Sequence, residues 1–259
     1  MIVVVPVDPP REGLVLSSLV DETPLSAADA VALYEAAVAD VCWAVAESGG
    51  DLLVNYRDAE TLPDEFANAD SDSDPEAEVR ALVIDALGED AIAGDGDRDA
   101  GVRFEPQVGS SRDARIGNTV THLLEREGAD SVGVLESTAP LVRRTEIDGV
   151  AMSVRRHEVV LGPSAEGRTY LAGFREAIDF ADAYATPEVT TLATRATDAG
   201  FGVGFAPMLP TVDTPAGLRS TLALLEARRL ADQPGSEATA AVVDELGLAV
   251  GDDGSLERS

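Results

Sequence analysis

The amino-acid sequence predicts an α/β protein built on a doubly wound, mostly parallel β-sheet. Short apolar runs bounded by glycine, proline and aspartate alternate with longer stretches of helical periodicity, the pattern of a strand-helix-strand fold. The first run, "IVVVPV" (2–7), is continuously apolar and β-branched rather than alternating, as in a strand covered on both faces. Several helical stretches also open on a capping residue followed by proline or an acid, which marks where each crossover ends.

After strand 2–7, a loop with Pro9, Pro10 and Gly13 leads to Ser26, whose partner Asp29 three residues on signals a capped helix running through Glu47. "DLLVNY" (51–56) is a second strand. The acidic segment 57–101 is rich in breakers around one helix, capped by Asp74 with Pro75 in its first turn, and its ends read as solvated loops. "VRFEPQ" is a third strand, followed by helical spacing of Ile116, Val120, Leu123 and Leu124 between Asp113 and Glu127. "SVGVLES" is the fourth strand. An arginine-rich connection then leads to the strand pair "EVVLGP" and "TYLAGF", separated by a glycine-broken loop. Thr186 and Pro187 open a helix, "FGVGFAP" is a strand, and Thr214-Pro215 opens the long helix "AGLRSTLALLEARRLA". A short helical pattern and a frayed tail complete the chain. The expected division is one α/β domain over 1–232, with an acidic insertion around 57–101, and a C-terminal extension over 233–259. In such a sheet the ligand crevice lies beyond the carboxyl ends of the strands. The loops of interest are therefore Asp8 to Leu19, Glu136 to Arg144, Gly162 to Thr169 and Leu209 to Leu218.

Composition narrows the partners. The 259 residues carry a formal net charge of -29, and no lysine occurs, so arginine is the only basic side chain besides histidine. Such a surface repels nucleic acid and anionic membranes, which excludes both as expected partners. It resembles the surfaces of proteins that work in molar salt, where the Debye length falls to about 3 Å and self-repulsion is screened. No run approaches the ~20 apolar residues of a membrane span, and "MIVVVPV" lacks the features of a signal peptide, so a cytoplasmic location is expected. Cys42 is the single cysteine, which excludes an internal disulfide and a cysteine-only metal cluster. Cys42 and Trp43 read as core. His122 and His157 have no evident chemical partner in the sequence.

Read in order, "VVVPVDPPREGLVLSSL", "LYEAAVADV", "QVGSSRDARIGN", "VGVLESTAPL", "VVLGPSAEGRTYLAG" and "PTVDTPAGL" resemble the nucleotide-diphospho-sugar transferase superfamily, glycosyltransferase-A-like in fold. A more distant resemblance is to the guanylyltransferase that activates phospholactate. The resemblance implies a nucleotide or sugar nucleotide as ligand, Mg²⁺ or Mn²⁺ as cofactor, and activity as a glycosyltransferase or nucleotidyltransferase. Carried over residue by residue, it departs from the family in three places. A basic Lys-Thr-Arg set in the loop after the first strand is replaced around Val15, Leu16 and Ser17, leaving Arg11, beside Gly13, as the cation for phosphate. A metal-binding aspartate after the fourth strand is replaced by Thr138 in Ser137-Thr138-Ala139-Pro140. The family's Gly-Pro-x-x-Asp-Gly-Gly-Tyr-Tyr becomes Gly162-Pro163-Ser164-Ala165-Glu166-Gly167-Arg168-Thr169-Tyr170, with Arg168 where a glycine is usual. The resemblance then implies Glu166 and Asp213 as the catalytic, metal-binding carboxylates, with Arg11, Gly13, Thr138, Gly162, Gly167 and Arg168 around the nucleotide.

Each of these residues has a plainer reading. Asp213 and Thr214 suit a helix cap, Glu166 a solvated loop acid, and Gly162 and Gly167 the turn between two strands. Arg143, Arg144, Arg155 and Arg156 with His157 suit surface counter-charges better than an anion site. Two functions follow from the sequence: a transferase with a divergent metal site, or a non-catalytic ligand-binding or assembly protein on the same scaffold. Guanylyl transfer to a small phosphorylated acid is a narrower alternative, and a homo-oligomer is left open.

Overall fold

The computed structural model describes residues 1–67, 74–93, 101–233, 235–251 and 253–258. Its centre is a seven-stranded sheet of β1 (Ile2–Val7), β2 (Asp51–Tyr56), β3 (Arg103–Pro106), β4 (Val132–Leu135), β5 (Val159–Pro163), β6 (Thr169–Phe174) and β7 (Val203–Phe205), ordered β3-β2-β1-β4-β6-β5-β7. Strands β1 to β4 are parallel to one another and β5 is parallel to β7. Strand β6 runs antiparallel to both neighbours. The cause is local: a single 3-10 turn, Ala165–Gly167, joins β5 to β6, and a connection that short can return only as a hairpin.

The helices are α1 (Ser17–Glu22), α2 (Ala27–Glu47), α3 (Asp64–Ala67), α4 (Pro75–Leu87), α5 (Glu89–Ala93), α6 (Arg112–Glu125), α7 (Arg144–Ser153), α8 (Glu188–Asp198), α9 (Pro215–Leu230) and α10 (Glu237–Leu246). Alternate residues of β1 serve the two faces of the sheet. Val3, Val5 and Val7 join one core with Leu33, Ala37 and Val41 of α2, Val79 and Val83 of α4, Ile147 of α7 and Leu218 of α9. Val4 joins the other with Ile116, Val120 and Leu123 of α6 and Leu192 of α8. A strand buried on both sides needs apolar residues at every position, which is why "IVVVPV" does not alternate.

The caps on α2, α4 and α9 form as the sequence predicts. Ser26 and Asp29 make a reciprocal capping box, Asp74 accepts from Glu76 N at 3.1 Å, and Thr214 accepts from Gly217 N at 3.0 Å. Thr186 does not cap α8: the Thr186–Pro187 peptide is cis, Pro187 holds the N-cap position, and the helix starts at Glu188. The arginine-rich connection contains α7, whose first turn is closed by Arg143 and Glu146. The tail is not frayed over its described residues: Leu248–Val250 (β8) pairs antiparallel with Leu256–Arg258 (β9), and Arg258 reaches Asp29 at 2.7 Å. Asp40 of α2 accepts from Ala238 N and Thr239 N at 3.1 and 2.8 Å, fastening the start of α10 to α2. The solvated-loop reading of the acidic segment falls partly on residues 68–73 and 94–100, which lie outside the described residues.

Cys42 is fully buried, as expected of an apolar free thiol, but Trp43 is 50 % exposed. The next position on α2 turns by about 100°, which carries the indole out of the core and into a groove of about 1210 Å³ between α2, α4 and α10. No described helix is long and apolar enough to cross a membrane.

Candidate functional site

Beyond the carboxyl ends of β1 and β4 lies a crevice of about 340 Å³. It stands where the strand order reverses, with β2 and β3 on one side of β1 and β4 on the other, the usual ligand position in an open α/β sheet. Its walls come from the β1–α1 loop (Asp8, Leu14 to Ser18), the β3–α6 loop and the first turn of α6 (Gln107, Arg112, Arg115), the end of β4 (Glu136 to Thr138), the start of β6 (Arg168) and the approach to α9 (Asp213). The groove beside Trp43 is larger, but it lies against the helices α2, α4 and α10 rather than at the strand ends, its carboxylates outnumber its two arginines, and Arg143 and Asp40 are already held by Glu146 and the start of α10. The smaller crevice is balanced: three arginines and three carboxylates line it in a chain whose overall charge is -29.

Arg112 anchors this set. Its guanidinium donates to Glu136 at 2.7 Å and Glu188 at 3.1 Å, and its carbon centre lies 4.9 Å from the Tyr184 ring centroid. The Glu136 carboxylate beside it, with Glu188, strengthens its hold on its proton. Burial pushes Glu136 above the usual carboxylate range, partly offset by Arg112. Glu188 is buried and also accepts from Thr169 N at 3.0 Å and Thr169 Oγ1 at 2.8 Å, so one carboxylate joins α6, α8 and the start of β6.

Arg115 is less satisfied. Its Nε donates to Gln107 Oε1 at 2.7 Å, and Gln107 is itself buried and donates to Asn55 O at 2.8 Å. The terminal nitrogens of Arg115 have no hydrogen-bond partner among the described residues, although Asp8 and Asp113 attract the charge from farther off. Burial, followed by repulsion from Arg57, pulls its guanidinium below the ordinary value. Asp8 lies 3.7 Å from Arg57, and burial raises its carboxyl against the pull of Arg57, Arg115 and Arg112. Asp8 N donates to the Tyr34 hydroxyl at 2.8 Å, which fixes the first loop on α2.

On the opposite wall Arg168 Nη1 meets Asp213 Oδ2 at 2.5 Å, and Thr211 Oγ1 donates to Asp213 Oδ1. Thr138 also lines the crevice, and its carbonyl accepts from Val212 N at 2.8 Å. The other sequence-predicted residues lie elsewhere. Arg11 is held by Glu78 through Nε at 3.0 Å and Nη2 at 2.7 Å and by the Phe66 carbonyl; Gly13 faces the Phe66 ring, and neither lines the crevice. Glu166 is exposed on the β5–β6 turn, outside the crevice lining. Gly162 has a packing reason, since a Cβ there would stand 2.7 Å from the Tyr170 ring. Gly167 has φ +74°, and a Cβ would stand 2.7 Å from Pro187 Cβ.

As a metal shell these residues fit poorly. Mg²⁺ and Mn²⁺ favour several open anionic oxygens. Both Asp213 oxygens and Glu136 Oε1 already accept from protein donors, and no group of three metal-ligating side chains forms among the described residues. Sequence reasoning missed Arg112, Arg115 and Glu188, and reached Asp8 and Glu136 only as the first residues of loops at the strand ends. The available signal was "RDAR": arginines three apart at a helix start lie on one face and aim at the strand ends.

No family model and no curated protein matches the chain. Among solved structures, the chain is similar to a protein from Desulfovibrio desulfuricans G20 assigned as a nucleotide-diphospho-sugar transferase, at TM-score 0.69 and 18% identity, covering 94% of each chain. A cytidylyltransferase from Leptospira borgpetersenii serovar Hardjo-bovis matches at TM-score 0.48 and 9% identity over 94% of this chain and 93% of that one. A CMP:2-keto-3-deoxy-manno-octonic acid synthetase complexed with CTP matches at TM-score 0.46 and 15% identity over 90% and 98%. The first likeness shows a nucleotide-diphospho-sugar transferase-like fold, with its mostly parallel seven-stranded sheet and flanking helices.

Proposed function

We propose that the crevice binds a nucleotide or sugar nucleotide and that the protein is transferase-like, of the nucleotidyl or glycosyl class. Arg115 carries the reading. A half-buried guanidinium whose terminal nitrogens have no hydrogen-bond partner among the described residues has lost part of its hydration without a close ion pair among them, and a phosphate at that point would supply both charge and hydrogen bonds. The fold supports the ligand class, because this sheet order places the crevice where such folds hold nucleotides. Asp8 and the Tyr34-fastened first loop would set the position of the ligand against Arg115.

A ligand-binding protein without the transfer step is the second reading, favoured by the closure of Asp213 on Arg168. Calorimetric titration of nucleoside triphosphates and sugar nucleotides in molar KCl tests the common part of both. We expect at least one nucleotide to bind, and Arg115→Ala to weaken it by about tenfold or more, as for loss of a charge-assisted phosphate contact worth ~1.5 to 3 kcal/mol. Folded wild-type protein that binds none of them refutes the assignment. Turnover of a bound donor then separates the two readings.

A further inference from the structure

The geometry points to Arg168 as an internal replacement for a divalent cation: its guanidinium neutralises Asp213 and keeps further N–H donors at that wall, so the crevice takes a phosphate or pyrophosphate group without Mg²⁺ or Mn²⁺. This rests on the crevice being an anion site, the reading given above.

A guanidinium and a dication compete for the same carboxylate oxygens. Here the competition is decided by construction. Arg168 Nη1 takes Asp213 Oδ2 at 2.5 Å, and the Thr211 hydroxyl takes Oδ1. The carboxylate across the crevice, Glu136, is held by Arg112 at 2.7 Å, so a metal drawing on Asp213 and Glu136 would have to displace two ion pairs, which leaves Asp8, 3.7 Å from Arg57, as the one carboxylate of the crevice not closed by a short contact among the described residues. The position of Arg168 is fixed by backbone rather than by its own side chain. Ser164 N donates to Arg168 O at 2.7 Å and Arg168 N to Ala165 O at 3.1 Å, closing the β5–β6 turn. The next residue, Thr169, is buried against Glu188. The turn therefore delivers Arg168 to Asp213 across a sequence separation of 45 residues. Only Nη1 of Arg168 is engaged among the described residues, and its remaining N–H groups suit the planar, two-pronged recognition of a phosphate.

The test uses Mn²⁺ alone, followed by electron paramagnetic resonance on the full chain in molar KCl, for wild type, Asp213→Asn, Arg168→Lys, Arg168→Ala and Arg168→Ala/Asp213→Asn. Wild type and Arg168→Lys should show only weak surface binding, unchanged by Asp213→Asn. Arg168→Ala should gain one site about tenfold tighter than that background, lost again in the double variant. Inorganic pyrophosphate in the presence of EDTA should bind wild type and lose about tenfold in Arg168→Ala. A wild-type Mn²⁺ site that disappears in Asp213→Asn overturns the inference, as does a folded Arg168→Ala that gains no Mn²⁺ site. Wild type and Asp213→Asn answer the first point even where Arg168→Ala does not fold. Failure of the nucleotide assignment appears separately, as absent nucleotide binding with the Mn²⁺ results unaltered.

Discussion

Glu188 illustrates how much one residue can hold in this chain. Its carboxylate is buried at the start of α8, accepts two hydrogen bonds from Thr169 and pairs with Arg112. Removing it strands a buried backbone N–H and leaves Arg112 with one carboxylate. Glu188→Ala should therefore cost about 2 to 3 kcal/mol in denaturant unfolding, whereas Glu188→Gln, which still accepts from Thr169, should cost visibly less. Equal losses in the two variants would mean that packing rather than hydrogen bonding dominates there. Nothing in the sequence singles Glu188 out among 48 acidic residues. In so acidic a chain the important carboxylates are concealed by the solvating ones, and only the partner, one arginine of "RDAR", stands out against that background. The same camouflage explains why Arg11 reads as a phosphate cation: its partner Glu78 lies 67 residues away and becomes visible only in three dimensions.

At the scale of elements, the signals that are local in sequence are the ones that were legible. The capping box of α2, the Asp-Pro start of α4 and the Thr-Pro start of α9 are written within four residues, and each forms. At α8 the same rule starts the helix one residue early: Pro187, beside Gly167, takes the N-cap position in place of Thr186. Helix α7 and the β8–β9 hairpin were hidden by charge and by glycine, which read as connection and tail. The α2 box also makes a pH-dependent contribution. The Ser26 backbone N–H, then the Ser26 hydroxyl, hold the Asp29 carboxyl below its ordinary value of 3.8, with Arg258 helping. A carboxylate depressed in the folded state stabilises above that ordinary value and loses its contribution as pH falls through the folded one. Ser26→Ala should cost about 1 kcal/mol at neutral pH, and the gap to wild type should narrow below about pH 3.8 in thermal melts. A gap unchanged at acid pH would assign the loss to the hydroxyl–backbone bond alone.

For the molecule as a whole, the fold class was legible because the strand-and-helix alternation and two-sided burial leave few architectures, while the strand order, the antiparallel β6 and the site needed contacts between segments far apart in the chain. The charge of -29 is a property of the whole surface and has a whole-molecule consequence. Self-repulsion is screened within about 3 Å in molar salt but reaches about 10 Å at 0.1 M, so dilution of salt should loosen the fold. Cys42 makes this measurable: it is fully buried, and burial pushes its thiol up to about 12, so a thiol reagent at pH 8 reaches it only through opening of the structure. Labelling should be slow in 2 to 3 M KCl, roughly the range implied by a Debye length of ~2 Å, and should accelerate as salt is removed; a rate independent of salt would refute the electrostatic account. The neighbouring residue complements it. Trp43 is the single indole, half exposed on the wall of a groove that Glu237, Ala238 and Val242 of α10 also line. Its fluorescence will therefore monitor the seating of the C-terminal helix rather than the integrity of the core, and two adjacent positions on one helix give separate optical and chemical readings of the surface and the interior.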